Sequence, residues 1–294
     1  MDNRFVQPLS SPTWREHLLA LAFYALLVIA IVWQALPHFT TQIYGVGSDP
    51  LHNLWLIWHT REALLLRQPI FEAPFLYYPQ GITLLTHGLG PVMGIFALPF
   101  WPLGTIAAHN GAVLIALWLT GYAMYLLARG LGFSPAVAIF GGLALLTAPM
   151  CLAGVDGHMT KVFMGGPPLA LLALYRVFEP QRRLWPWAIG LGAAILLVLL
   201  HSGYQFIFTC FALALLTLLL FINTAADQRR RVFVRLLMAG IITMVIIGPL
   251  ILAIFSASSN GIAVDRRADA EAFKPELQQF FALNPYARSG PILI

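Results

Sequence analysis

Seven long apolar runs, hardly interrupted by charge, decide which solvent this chain can fold in. They cover 18–36, 107–128, 134–153, 162–178, 184–201, 204–223 and 236–256. A helix needs about 20 mostly apolar residues to cross the hydrocarbon of a bilayer. Of the 294 residues, 59% are hydrophobic and only 10% charged. A soluble domain carries about a quarter charged residues. The expectation is an all-α, polytopic transmembrane helical bundle of about seven helices, forming one transmembrane domain over 1–294. The run 162–178 is the weakest, because Gly165-Gly166-Pro167-Pro168 stands near its start. The run 18–36 follows Arg4 and Arg15, but Gln34-Ala35-Leu36-Pro37-His38 offers no small-residue cleavage site, so it reads as a retained helix. Cys151 and Cys210 sit in apolar runs and show neither a disulfide framework nor a metal-ligand spacing.

The stretch Pro91–Leu103 is apolar but short and holds Pro91, Pro99 and Pro102. Runs of this length are more often re-entrant or interfacial. Charge decides between the options. If 91–103 does not cross and the N-terminus is cytoplasmic, eight arginines fall inside: Arg129, Arg176, Arg182, Arg183, Arg229, Arg230, Arg231 and Arg235. If it crosses, all eight move outside, against the positive-inside rule. Residues 37–106 and 257–294 are therefore expected to be external loops. The net charge of +5 is scattered and serves as a topology signal, not as a nucleic-acid surface. Seven of the eight histidines then lie on or near the external side, as do eight of the twelve acids. Ionisable groups gathered at one membrane face mark a functional surface, although long external loops are also simply polar.

The first external loop opens with Gly47-Ser48-Asp49-Pro50-Leu51-His52. Leu51, Leu54, Trp55, Trp58, Glu62 and Leu65 follow at helical spacing and predict an amphipathic helix on the membrane surface. His52 and His59 are seven residues apart and share another face. Asp before Pro is an ordinary helix start, yet a carboxylate fixed there can also serve as a general base or meet a divalent cation. Asp49 and His52 alone are too few ligands for a metal site. The aromatics of Phe75-Leu-Tyr-Tyr-Pro79 suit interfacial anchoring, or stacking on sugar faces. The turn Gly154-Val-Asp156-Gly-His158-Met-Thr-Lys161 packs an acid, an imidazole and an amine into a few residues. Lys161 either pairs with Asp156 or joins them in facing the cavity of Asp49. His201, Tyr204 and Gln205 form the next external turn. Arg266 and Arg267 offer a grip for a phosphate, or a solvated patch with Asp269 and Glu271.

This layout resembles the GT-C class of polytopic membrane glycosyltransferases. The matching features are a first helix, the early loop acid of Gly47-Ser48-Asp49, and the stretch Tyr78-Pro79-Gln80-Gly81. A helix ending Tyr125-Leu-Leu-Ala-Arg129-Gly-Leu-Gly and one opening at Ser134-Pro-Ala-Val-Ala complete the match, which spans roughly 16–220. The resemblance implies transfer of a sugar from a polyprenyl-phosphate donor at the external face of the inner (cytoplasmic) membrane. It makes Asp49 the catalytic acid/base, helped by His52, Asp156 and His158. His59, Lys161, His201, Tyr204, Gln205, Arg266 and Arg267 are the candidate substrate contacts. Asp49 stands without an adjacent second acid, which leaves a divalent cation open. The chain stops at Gly290-Pro-Ile-Leu-Ile inside an external loop, where the class usually continues, and so reads as truncated. The rival classes are a transporter or lipid flippase, which needs ionisable groups and broken helices at the midplane, and a non-catalytic assembly subunit.

Overall fold

A computed structural model of the protein describes residues 12–46, 49–86, 90–155 and 157–260, apart from the side chains of 86, 259 and 260. Helix α1 (Trp14–Ile31) opens at a capping box, in which the Thr13 hydroxyl accepts from the Glu16 amide and the Glu16 carboxylate accepts from the Thr13 amide, both at 3.3 Å. Helix α2 (Asp49–Leu66) follows. A two-residue antiparallel hairpin, β1 (Glu72–Ala73) with β2 (Ile82–Thr83), is the only sheet among the described residues. Helix α3 (Pro91–Ala97) runs into a 3-10 stretch over Leu98–Leu103. The remaining helices are α4 (Thr105–Gly130), α5 (Pro135–Leu146), α6 (Pro149–Val155), α7 (Gly166–Phe178), α8 (Leu184–His201), α9 (Gly203–Ile222) and α10 (Ala226–Asn260).

Among the described residues, α1, α4, α8, α9 and α10 are long and apolar enough to cross a membrane. The pair α5 and α6 makes a sixth candidate if its 53° bend lies within one span. The break falls where Pro149 begins α6, since a proline ring clashes with the preceding turn and drives the residue before it out of helical geometry. The seventh expected span falls short: α7 has 13 residues, about 20 Å of helix against about 30 Å of hydrocarbon. Its predicted start at 162 moves to Gly166, because the preceding residues are held in the 3-10 turn Met159–Lys161 and an irregular stretch.

Helix α4 forms the axis, packing against α1, α3, α5 and α7. Small residues allow this crowding. A Cβ on Gly142 of α5 would stand 2.1 Å from the Tyr24 hydroxyl and 2.4 Å from the Gly121 carbonyl of α4. Tyr24 there donates to the Ile139 carbonyl at 2.9 Å, tying α1 to α5.

The two ends of the bundle differ in chemistry. At one end, Arg129 closes α4 and donates to Glu16 at 3.1 Å. A Cβ on the adjacent Gly130 would lie 3.6 Å from the Arg176 guanidinium. Arg176 in turn meets Glu179 at 2.8 Å, and Arg235 donates to the Val177 carbonyl at 2.8 Å. At the opposite end the buried Asn110, near the start of α4, gathers the chain that leaves α1. Its amide donates to the Phe39 and Gln42 carbonyls, each at 2.8 Å, and its oxygen accepts from the Tyr44 amide at 2.9 Å. Burial pushes the Tyr44 phenol up to about 12. The chain thus leaves α1 and enters α4 at the same end, and α2, the hairpin and α3 are held there. Phe96 of α3 meets Phe163 edge-on at 5.4 Å, and Phe163 meets His201 likewise at 5.4 Å.

Helix α2 carries its expected stripe outward: Leu51, Trp58 and Leu65 are exposed. Its inner face is a second apolar face, built on Ile57, Thr60 and Ala63. His52 and His59 share a side of the helix but not an environment. The chain after α2 folds back over His59 alone, whose Nε2 lies 3.1 Å from the Ile70 carbonyl while its ring stacks on Trp55 at 5.1 Å.

Candidate functional site

The site begins with one glycine. Gly157 has φ +147, a conformation side chains rarely adopt, and a Cβ there would come within 3.2 Å of the Val46 carbonyl and of Pro50. The turn after α6 can therefore press against the first turn of α2. Asn53, one helical turn beyond Asp49, donates to the Gly157 carbonyl at 2.8 Å and fixes that approach. The next residue, His158, then places Nδ1 at 2.9 Å from the Asp49 carboxylate, with both side chains about half exposed. Asp49 stands in the first turn of α2, and its carboxylate reaches the imidazole. From the other side, Gln205 of α9 donates to the carbonyls of Thr160 at 2.7 Å and Phe163 at 3.2 Å. The turn that carries His158 is thus clamped between α2 and α9.

A cavity of about 740 Å³ lies between these elements. Asp49, His52, Asn53 and His158 form its polar wall. Leu199, Phe206, Ile207, Ile251, Ile254 and Phe255, from α8, α9 and α10, form an apolar wall opposite. The junction of α8 and α9 closes the space with His201, Ser202, Gly203 and Tyr204. Helices α9 and α10 both pack on α8 but touch each other little, so the apolar wall has a seam on its outer side. A cavity of this size and mixed lining suits an amphipathic ligand.

The structure brings Asp49, His52, His158, His201 and Tyr204 to this one cavity. It does not bring His59, Lys161 or Gln205 there. His59 is buried against Ile70, Gln205 spends its amide on two carbonyls, and Lys161 sits half-buried in the 3-10 turn. Asp156, Arg266, Arg267 and His87 lie outside the described residues. No group of three or more His, Cys, Asp or Glu side chains that could hold a metal ion occurs among the described residues, where Asp49 meets His158. Asn53 is the functional position that spacing alone did not single out. Its signal is its place four residues after Asp49, on the same helical face. No family model, curated protein or solved structure matches the chain.

Proposed function

We propose that this chain is a membrane glycosyltransferase-like enzyme that moves a sugar from a polyprenyl-phosphate donor to an acceptor hydroxyl, with Asp49 and His158 as its acid–base pair. The observation that carries this reading is the 2.9 Å contact between them at the wall of an amphipathic cavity. The resemblance alone would make Asp49 the base. The contact favours a division of labour: Asp49 engages Nδ1 and orients the ring, which leaves Nε2 of His158 to take the proton. In that step the acceptor oxygen bonds to the anomeric carbon, the bond from that carbon to the phosphate oxygen breaks, and the lipid phosphate leaves. Seven crossings are proposed, with the short α7 and the bent α5–α6 pair each completing one. The arginine-rich end then faces the cytoplasm, along with the N-terminus, and the Asp49 end faces outward. This orientation is supported by Arg129, Arg176 and Arg235 standing together at one end. The membrane is proposed to be the inner one.

The test is release of polyprenyl phosphate from a labelled polyprenyl-phosphate sugar by the purified protein in liposomes, with cell-envelope extract as acceptor. Asp49→Asn and His158→Gln are each expected to lower release by about 100-fold or more, the usual worth of general acid–base catalysis, with insertion unchanged. Wild-type rates in both variants reject the assignment. The seam between α9 and α10 supports one second reading, a lipid transporter, which would move labelled lipid between leaflets without releasing sugar.

A further inference from the structure

A second cavity, of about 470 Å³, adjoins the first. His52 and Leu56 of α2 line both, and the neighbours Leu84 and Leu85 line one each. Trp55, Leu76, Tyr77 and Ile82 complete its wall. The two aromatic side chains there are held in place. Trp55 stacks on His59 with ring planes 8° apart, and His59 is anchored in turn on the Ile70 carbonyl at 3.1 Å. One ring backs the other, so the indole forms a fixed plate. Tyr77 stands in the loop between β1 and β2. Its φ is +52, and its carbonyl accepts from the Gln80 amide at 3.1 Å and the Gly81 amide at 3.3 Å. Gly81, itself at φ +70, closes this loop so tightly that a Cβ there would stand 3.2 Å from the Pro74 Cα. A bulky residue at positive φ is an outlier, and strain of this kind gathers at ligand sites. The ring so displayed is 68% exposed. Phe75 and Tyr78 of the same loop are exposed as well but line neither cavity, and anchoring at the membrane surface accounts for them. Of the three, it is Tyr77 that lines the cavity.

We infer that this second cavity is a saccharide subsite, which holds the acceptor beside the lipid donor. A sugar ring offers C–H groups on its faces and hydroxyls at its edge, and so suits a wall of aromatic plates with polar tips. The Trp55 indole N–H, the Tyr77 hydroxyl and the His52 imidazole supply those tips. An alkyl chain has no use for them. No Asp, Glu, Lys or Arg among the described residues lines the cavity, so a neutral ligand fits it better than an ion. His52 is exposed, belongs to both walls and lies one helical turn from Asp49. An acceptor seated on Trp55 and Tyr77 therefore meets the donor cavity at His52. The assignment rests on the transferase reading above and names the chemistry of its acceptor, an uncharged saccharide.

The test is saturation-transfer NMR on the full chain in phosphatidylcholine nanodiscs, with empty nanodiscs as the blank. The saccharide probe is an equimolar mixture of maltose, cellobiose, mannobiose and diacetylchitobiose; the alkyl probe is hexanediol. At least one saccharide is expected to be saturated above the blank, and hexanediol is expected not to displace it. Two variants locate the binding. Tyr77→Gly removes the ring and suits φ +52 better than tyrosine does, so the loop keeps its shape. Trp55→Leu removes the indole plate. Each is expected to weaken saccharide binding about fivefold, the worth of one aromatic stacking contact. Saturation of none of the saccharides, wild-type binding in Tyr77→Gly, or displacement by hexanediol overturns the subsite. If Trp55→Leu does not fold, Tyr77→Gly decides alone. Binding is read here without donor or turnover. Saccharide binding without sugar transfer would therefore refute the enzyme and leave the subsite, and sugar transfer without saccharide binding would refute the subsite and leave the enzyme.

Discussion

Replacing Asn110 with leucine removes a side chain that ties the exit of α1 to the start of α4. The two side chains have similar shape, so the loss is of hydrogen bonds and not of volume. The Tyr44 amide loses its acceptor, and Tyr44 is 2% exposed, so water cannot replace it. His109 Nδ1, 3.2 Å from the same oxygen, loses its only partner, since Nε2 already has none. The Phe39 carbonyl is half-buried and recovers water in part; Gln42 is exposed and recovers it fully. With each buried orphan costing about 1–3 kcal/mol, the sum is about 4 kcal/mol. A loss of that size is a large share of the margin by which most folded proteins are stable. Thermal unfolding in detergent should therefore show a clear drop for Asn110→Leu. Asn110→Asp should also melt early, since it keeps the acceptor for Tyr44 but sets a carboxylate oxygen against two carbonyls. A leucine variant that melts with the wild type would refute the ledger and the claim that Asn110 holds the 39–46 segment against the bundle.

Gly157→Ala should lower activity by about tenfold or more while the bundle persists, because strain at this turn costs of order 1–3 kcal/mol; activity and melting measured together check it. Asn53→Leu leaves the Gly157 carbonyl without its donor and should cost about 1 kcal/mol of turn docking, read as a roughly fivefold fall in rate. Glu16→Ala deprives the nearly buried Arg129 of its carboxylate and α1 of its capping box; since Glu16 itself is partly exposed, a loss of about 1–2 kcal/mol is expected in detergent unfolding. Cysteines placed at Arg182 and Arg230, in a background without Cys210, should resist a membrane-impermeant maleimide added to intact cells, whereas one at Thr40 should react; labelling at Arg182 would invert the proposed topology.

Much of the architecture was legible because it follows from period and charge. Long apolar runs without acids or bases have few alternatives to a helix, and the lengths of α4, α8 and α9 track them closely. The failures came where backbone chemistry overrides hydropathy. Pro149 split a run that reads as continuous, and the residues before Pro167 shortened another. At the site, Asp49 and His158 were legible as residue types in neighbouring loops, but their contact depends on Gly157 taking a positive φ. His59 and Gln205 show the reverse case. Polar side chains beside a candidate site in sequence turned out to hold backbone carbonyls, and nothing in spacing distinguishes a structural amide from one that meets a ligand.

Only Ser202 stands between α8 and α9. A hinge of one residue leaves almost no slack, so the two helices and the floor they form move as a single lever. The other flank of the cavity, where α10 packs against the Leu84–Thr86 turn, has no such tether among the described residues. Loosening that flank is expected to open the cavity while leaving the floor in place.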